Sequence, residues 1–331
     1  MRSLFATALL TGLAWQLNAA DNEGFTSIFN GKNLDGWDGN PKFWSVRDGA
    51  ITGQTTKENP TKGNTFIIWR DGVLDDFELR LQYKIINGNS GIQYRSKDLG
   101  NWVVGGYQGD FEARDTYSGI LYEEKGRGIL AQRGQMTSIL RNGKKHQVEV
   151  IGSLGASEDI QSHIKKEDWN DYKIIAVENR FVHIINGRVT AIVVDNDAEK
   201  RVDSGILALQ LHAGDPMTVQ FRDIKIRKLK PVQVGGVWNV EVFSDQGIGT
   251  PVFHFEQEKE QLSGQYNGLF GKSSVKGKVT GDQVEFSVSG EYEGQSVVAH
   301  YKGKMKADGS LSGEVVFNDE INLNWSATRK N

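Results

Sequence analysis

Three short segments of this chain place hydrogen-bonding side chains at every second position. Successive residues of a β-strand point to opposite faces, so residues two apart share a face. We therefore expect three strands, each with one polar face and one apolar face. A face that combines amides, carboxylates, a guanidinium and an imidazole suits the directed hydrogen bonds of sugar hydroxyl groups. The side chains concerned are Asn89, Gln93 and Arg95; Gln108, Asp110 and Glu112; and Gln210 and His212.

Aromatic residues close to these segments in sequence could stack on sugar rings. The alternative is an ordinary solvated face, because antiparallel sheets usually expose one polar face. Glycines such as Gly91 and Gly109 favour a ligand site, since glycine within a strand often permits close approach. The residues predicted to contact a ligand are Asn89, Gln93, Tyr107, Gln108, Tyr122 and Gln210.

The elements that must position these side chains are short strands. Residues 77–85 alternate strictly, with Phe, Leu, Leu, Tyr and Ile on one face and polar residues on the other. Asn186-Gly187 separates two apolar runs and predicts a tight hairpin, because both central positions of such a turn need positive φ. After the N-terminal segment no helical period of useful length occurs, and we expect at most one or two short helical turns, with residues 167–170 as the candidate position.

The chain divides into two predicted β domains near Lys230-Pro231. Residues 24–230 are expected to form a lectin-like sandwich. Residues 232–331 contain evenly spaced short strands, which favour a small antiparallel up-and-down β-barrel because closure removes exposed sheet edges. These strands are predicted near 237–243, 251–257, 261–267, 273–279, 283–289, 295–304, 310–317 and 322–328.

Composition excludes some classes of function. The formal net charge is −3 and no block of Lys and Arg occurs, so no nucleic-acid partner is expected. Cysteine is absent, and the fold must be stable without disulfides. Residues 1–20 combine Arg2, an apolar run and Ala19-Ala20, which is typical of a secretory signal peptide. We predict a periplasmic or extracellular protein with no membrane span after removal of the signal.

A series of motifs in this chain resembles one known family. The series resembles the 3-keto-disaccharide hydrolase domain family over about residues 24–230. The resemblance implies a concanavalin-A-like jelly-roll sandwich and an exported enzyme that cleaves glycosides oxidised to a ketone at the third sugar carbon. The motifs, in order, are Phe29-Asn-Gly-Lys-Asn-Leu-Asp-Gly-Trp37, Trp44-Ser-Val-Arg-Asp-Gly-Ala-Ile51, Asp76-Phe-Glu-Leu-Arg80, Asn89-Ser-Gly-Ile92 with Arg95, Leu209-Gln-Leu-His212 and Phe221-Arg-Asp-Ile-Lys-Ile226.

Two motifs depart from the pattern of that family. Tyr107-Gln-Gly-Asp110 stands where the family commonly has Tyr-Glu-x-Gln, so the acid and the amide have exchanged places. Gln210-Leu-His-Ala213 stands where the family commonly has Gln-Asp-His-Gly.

The implied chemistry starts from the ketone, which acidifies the proton on the second sugar carbon. Such a site needs a base and a group that stabilises the enolate oxygen. His212, Asp110 and Glu112 are the candidate bases, and Arg95 is the candidate oxyanion partner. The first three also have the donor types of a divalent-metal site, although their spacing does not require a metal. The expected activity is hydrolysis of a 3-keto-glycoside or 3-keto-disaccharide, by elimination followed by hydration.

Two other functions remain as alternatives. Retaining glycosidases with Glu-x-Asp-x-Glu along one strand share the spacing of Gln108, Asp110 and Glu112, but an amide cannot act as a carboxylate nucleophile. A non-catalytic carbohydrate-binding protein would use the same polar face only to hydrogen-bond a sugar.

Overall fold

The computed structural model describes residues 24–306 and 308–330, most of which are in β-strands. The predicted signal peptide, residues 1–20, lies outside these residues. Within the described part, no helix is long and apolar enough to cross a membrane. In chain order the first strands are β1 (Thr26–Ser27), β2 (Trp37–Gly39), β3 (Trp44–Arg47), β4 (Ala50–Gln54), β5 (Thr65–Leu74), β6 (Phe77–Ile86), β7 (Asn89–Asp98), β8 (Val104–Glu112), β9 (Leu121–Glu124), β10 (Gly128–Ala131), β11 (Gln135–Asn142), β12 (Lys145–Ser153), β13 (Asn170–Val177), β14 (Arg180–Ile185), β15 (Arg188–Asp195), β16 (Gly205–Leu211) and β17 (Thr218–Lys228).

These strands form two sheets that share one core. The first has the order β12-β11-β15-β14-β13-β6-β17-β4-β3, with β1 paired to β17, and the second has the order β10-β9-β8-β7-β16-β5-β2. Rings from the two sheets meet between them: Tyr83 of β6 lies 3.9 Å from Phe111 of β8 between ring centroids. Phe77 of β6 similarly meets Tyr94 of β7 edge-on at 5.7 Å. This arrangement confirms the predicted sandwich.

Local sequence signals account for several of these elements. On β6 the five alternating apolar residues from Phe77 to Ile85 are all buried, as the period of two requires. The hairpin between β14 and β15 turns at Asn186 and Gly187, whose φ angles are 47° and 78°. Both values lie in the left-handed region that this turn type demands, so the predicted hairpin is confirmed.

One short helix is described, within the expected number, but its expected position near residues 167–170 is wrong. The described helix, α1, spans Ser157–Gln161. Glu158 and Asp159 lie in its first turn, where negative charge is favourable, and Ile160 anchors it in the interior. This short helix has no amphipathic period long enough to be recognised in sequence.

The third sheet is built by the last hundred residues of the chain and closes on itself, because its first strand, β18 (Gly236–Ser244), pairs with its last strand, β26 (Ile321–Arg329). Its interior is filled by aromatic rings, including Phe253, Phe286 and Tyr301, with Phe286 and Tyr301 stacked at 4.7 Å. The predicted up-and-down barrel is therefore confirmed. The strands are β18 (Gly236–Ser244), β19 (Gly247–Gly249), β20 (Val252–Glu258), β21 (Gln261–Gly268), β22 (Gly271–Thr280), β23 (Gln283–Tyr292), β24 (Gln295–Met305), β25 (Leu311–Phe317) and β26 (Ile321–Arg329).

Candidate functional site

The outer face of the second sheet carries a cleft at the strands that the sequence analysis singled out. β7 pairs with β8 on one side and with β16 on the other. The cleft has a volume of 420 Å³, and the structure brings most of the predicted site residues to it. Those that line it are Asn89, Gln108, Asp110, Glu112, Tyr122, Gln210 and His212.

Asp110 is the most perturbed carboxyl group of this cleft. Its side chain is almost fully buried, with 7% of the residue exposed. The pKa of Asp110 is raised to about 7, mainly by burial and to a smaller extent by the negative charges of Glu124 and Glu112, whereas hydrogen bonds from Gln108 and Asn89 oppose the rise. A carboxyl group with such a pKa exchanges a proton near neutral pH, which suits a general acid or base.

A chain of amides holds Asp110 in place. The Ser96 hydroxyl donates to Gln93 Oε1 at 2.7 Å, and Gln93 Nε2 donates to Gln108 Oε1 at 2.6 Å. Gln108 Nε2 then donates to Asp110 Oδ1. Gln210 Nε2 adds a second donor to Gln108 Oε1 at 3.2 Å. Each amide therefore has a defined orientation, and Gln108 presents its donor end to the carboxylate.

Gln93 does not reach the cleft, which corrects its predicted contact with a ligand. The residue lies on the expected face but is 0% exposed. Gln108, its partner across the strand pair, covers it. Gln93 therefore orients Gln108 through their hydrogen bond and does not contact a ligand directly.

Glu112 lines the cleft and also orders the loop beside it. Its Oε1 accepts the backbone N–H groups of Thr116 and Tyr117 at 2.7 and 2.8 Å. These bonds place Tyr117, which is 43% exposed, at the wall of the cleft. One carboxylate oxygen of Glu112 is thus committed to the loop. Asp110 is the better candidate for a base because its pKa is raised to about 7.

His212 contributes an imidazole of defined tautomer. Its Nδ1 lies 2.5 Å from the carbonyl oxygen of Ala213. A carbonyl can only accept, so Nδ1 carries the proton and Nε2 of the neutral ring is an acceptor. The Ala213 N–H donates to Asn64 Oδ1 at 3.1 Å. This bond holds the loop that follows His212 against the residue that precedes β5.

Glu124 and Asn64 line the cleft but were missed by the sequence analysis. Asn64 Nδ2 lies 3.5 Å from Glu124 Oε1. Tyr122 and Glu124 are two apart on β9 and share the cleft face, which is the signal that could have found Glu124. Burial, together with the charges of Glu124 and Asp110, raises the pKa of Tyr122, so its phenol remains a hydrogen-bond donor.

The structure places Arg95 away from the cleft, and its expected position beside Asn89 is wrong. Two residues of β7, Arg95 and Ser96, stand opposite one residue of β8, and this β-bulge turns Arg95 to the other side with φ of 44°. The guanidinium is fully buried. It donates to the carbonyls of Asp75 and Glu178, each at 2.6 Å, and to Asp76 Oδ1 at 2.9 Å. Its contacts are those of a structural ion pair.

Tyr107 also faces the interior, which corrects its predicted role in binding. Gln108 points to the cleft, so its neighbour on the strand must point the opposite way. The ring of Tyr107 packs 4.5 Å from that of Phe181, and its hydroxyl donates to Asp195 Oδ2 at 2.5 Å. Arg127 Nη2 donates to the same carboxylate oxygen at 2.6 Å, so Tyr107 belongs to a buried charge network.

The described residues do not form a metal site from acidic and imidazole side chains. Within residues 24–306 and 308–330, no group of three or more His, Asp or Glu side chains is arranged to hold an ion. The metal site considered for Asp110, Glu112 and His212 is therefore not assembled by these residues.

Two larger clefts, of 800 and 880 Å³, lie elsewhere on the molecule. Neither is lined by any of the predicted site residues. The cleft of 420 Å³ is the candidate site because Asp110 and its amide partner Gln108 line it.

Comparison with known proteins identifies the family of this chain. No curated protein matches the chain in sequence. Among solved structures, the chain is similar to a "Putative glycosyl hydrolase" from Parabacteroides distasonis, with 18% identity, a TM-score of 0.41 and coverage of 62% of this chain and 99% of that one. It is also similar to the carbohydrate-binding module CBM66 from Bacillus subtilis, with 16% identity, a TM-score of 0.39 and coverage of 60% and 99%. The family described as the 3-keto-alpha-glucoside-1,2-lyase-like domain matches residues 24–227, more than half of the sequence, and this chain belongs to it.

Proposed function

We propose that this protein cleaves the glycosidic bond of 3-keto-glycosides, including 3-keto-disaccharides, in the cleft on the second sheet. The observation that carries the proposal is Asp110, a buried carboxyl group with a pKa raised to about 7 by its burial in a cleft otherwise lined by amides, acids and tyrosines. Membership of the 3-keto-alpha-glucoside-1,2-lyase-like family supports the same chemistry.

The proposed reaction begins with removal of the proton on the second sugar carbon. Ionised Asp110 takes this proton, and the electron pair of the broken C–H bond forms an enolate with the neighbouring ketone. The enolate then collapses to the ketone, a double bond forms between the first and second carbons, and the glycosidic oxygen leaves as an alcohol by taking the proton that Asp110 had removed. Addition of water across that double bond restores the sugar, so the net result is hydrolysis.

The enolate oxygen needs a donor from the cleft, and Arg95 cannot supply it because it is buried elsewhere. We assign this role to Tyr122, because its phenol lines the cleft and its raised pKa keeps the proton on the oxygen. A hydrogen bond aimed at a developing oxyanion stabilises the transition state more than the ground state. Asn89 and Gln210 are proposed to orient sugar hydroxyls, as their amides line the same wall.

Turnover of a panel of 3-keto-glycosides, beside the same sugars unoxidised, tests this proposal. Products are expected only from the oxidised sugars. The Asp110→Asn variant should lose at least about 10²-fold in turnover, while Asp48→Asn, the same change at an exposed turn, should lose nothing. Turnover by the native protein should rise as pH increases through about 7, because only ionised Asp110 can accept the proton.

Saturable binding of a glycan without turnover of either set would overturn the proposal and favour a non-catalytic carbohydrate-binding protein. Equal turnover of oxidised and unoxidised sugars would also contradict it, since an unoxidised sugar cannot form the enolate. Residues 1–20 lead us to propose that the reaction takes place outside the cytoplasm, after export.

A further inference from the structure

The charges that line the cleft are strongly one-sided. Asp110, Glu112 and Glu124 supply three carboxyl groups, whereas no Lys or Arg is found among the described residues of the lining. Lys125 approaches Glu124 Oε1 only at 3.9 Å, and its side chain is 59% exposed. The cleft is therefore rich in hydrogen-bond acceptors and carries excess negative charge.

Gln210 adds an acceptor that no described residue satisfies. The residue is 1% exposed, and its Oε1 is buried without a hydrogen bond from residues 24–306 or 308–330. Its orientation is set by Gln108 Oε1, which accepts from Gln210 Nε2. Rotating the Gln210 amide would bring two carbonyl oxygens together, so Oε1 must point the other way. A buried acceptor without a donor is costly, and a donor from a ligand in the cleft would satisfy it.

The Glu124 carboxylate also accepts fewer hydrogen bonds from the described residues than it can. Only 9% of its side chain is exposed, and its hydrogen bond from Asn64 Nδ2 is long, at 3.5 Å. A carboxylate can accept about four hydrogen bonds. The wall formed by Glu124 and Gln210 therefore retains acceptor capacity that hydroxyl or ammonium groups of a ligand can use.

We propose that Glu124 is the specificity-determining residue of this wall, which selects glycosides that present hydroxyl or ammonium donors and rejects those with carboxylate substituents, while Gln210 supplies an uncharged acceptor to any of them. This inference rests on the proposed function for the identity of the ligand as a glycoside. It goes further in assigning the charge class of the substrate. A carboxylate on the ligand would face three carboxyl groups and an amide oxygen, with no guanidinium or ammonium in the described lining to pair with it.

Calorimetric titration of the full chain with three unoxidised ligands tests the inference. Methyl glucoside, methyl 6-amino-6-deoxyglucoside and methyl glucuronide differ only at the sixth carbon, as hydroxymethyl, aminomethyl and carboxylate. We expect the glucuronide to bind at least about tenfold more weakly than the glucoside, and the amino sugar to bind at least as well as the glucoside. Because these sugars carry no ketone, the selectivity is measured independently of whether 3-keto-glycosides are cleaved.

Glu124→Gln should reduce the discrimination against the glucuronide severalfold, since it removes one charge and keeps the shape. Glu256→Gln makes the same change on an exposed barrel strand and should leave all three affinities unchanged. Gln210→Met should weaken all three ligands alike, because it removes an acceptor without changing charge. Glucuronide affinity equal to that of the glucoside, or no measurable binding of any of the three, would overturn the inference.

Discussion

Gly91 lies directly opposite Asp110 across the pairing of β7 and β8, and the space that a side chain would occupy there is filled by Gln108. A Cβ atom at position 91 would lie 2.5 Å from Cγ and Cδ of Gln108. Side-chain carbons do not approach so closely. The Gln108 amide therefore reaches Asp110 only because residue 91 is glycine.

Replacing Gly91 should consequently impair the site more than the fold. In Gly91→Ala the methyl group displaces Gln108, and Asp110 loses the donor that orients it. We expect turnover of a 3-keto-glycoside to fall at least about tenfold, with a loss in unfolding free energy of roughly 1–3 kcal/mol from overpacking. Gly152→Ala is the matched control, because a Cβ there meets Met136 at an ordinary 3.5 Å. Full turnover in Gly91→Ala would contradict this account of Asp110.

Asp110 should reduce the stability of the protein at neutral and alkaline pH. Its pKa is raised from 3.8 to about 7 on folding, so the native state holds the proton more tightly than the unfolded chain does. Stability contributed by this group is then present at low pH and is lost as pH rises from about 4 to about 7. Asp110→Asn should therefore be more stable than the native protein at pH 8, by between about 1 and 4 kcal/mol.

Urea denaturation of both proteins across this pH range measures the effect. The difference in unfolding free energy between the variant and the native protein should be small near pH 4 and grow up to about pH 7. A difference that stays constant with pH would show that Asp110 titrates alike in the folded and unfolded states.

Alternation along single strands predicted much of the fold and part of the site. Gln108, Asp110 and Glu112 share a face on β8 as expected, because the period of two is a local property of the chain. Eight strands of the barrel were predicted near their observed positions for the same reason. The way in which the strands of residues 24–230 assemble into a sandwich was predicted from the family resemblance, not from alternation.

What the sequence did not reveal depends on contacts between strands. The bulge that turns Arg95 away arises from its pairing with β8, where residues 95 and 96 face one partner. The burial of Gln93 depends on Gln108 lying across it. Glu124 belongs to a strand of four residues, too short for alternation to stand out. Tyr107 was selected for its nearness in sequence, although the alternation of β8 itself directs it inward.

Tyr107→Phe separates a structural role from a binding role. The Tyr107 hydroxyl donates to Asp195, which is 0% exposed, and accepts the Val202 N–H at 3.3 Å. Removing it leaves a buried carboxylate with one donor fewer, which should lower the unfolding free energy by about 1–3 kcal/mol. The Michaelis constant for a 3-keto-glycoside should not change, because the ring faces the core.

The matched variant is Tyr122→Phe, at the phenol that lines the cleft. It should reduce turnover while leaving the denaturation midpoint nearly unchanged. If the two substitutions exchanged these effects, the assignment of Tyr107 to the core and of Tyr122 to the site would be wrong.

His183 should make the protein sensitive to acid. The ring is fully buried between two tyrosines, with Nε2 2.9 Å from the Tyr94 hydroxyl and Nδ1 3.2 Å from the Tyr172 hydroxyl. Burial lowers its pKa from 6.5 to about 3. Between these two pH values His183 is protonated in the unfolded chain but neutral in the native state. Stability contributed by neutral His183 is therefore complete above about pH 6.5 and is lost as pH falls towards 3.

The variant His183→Gln isolates this contribution, because an amide can both donate and accept but does not titrate in this range. The unfolding free energy of the native protein relative to that of the variant should fall by a few kcal/mol, at about 1.4 kcal/mol for each pH unit, between about pH 6.5 and pH 4. The difference between the two proteins is the quantity to compare, because Asp110 changes the stability of both in the opposite direction over the same pH range. Parallel profiles would mean that His183 is protonated in the folded protein, which its contacts with two neutral phenols in a dry core argue against.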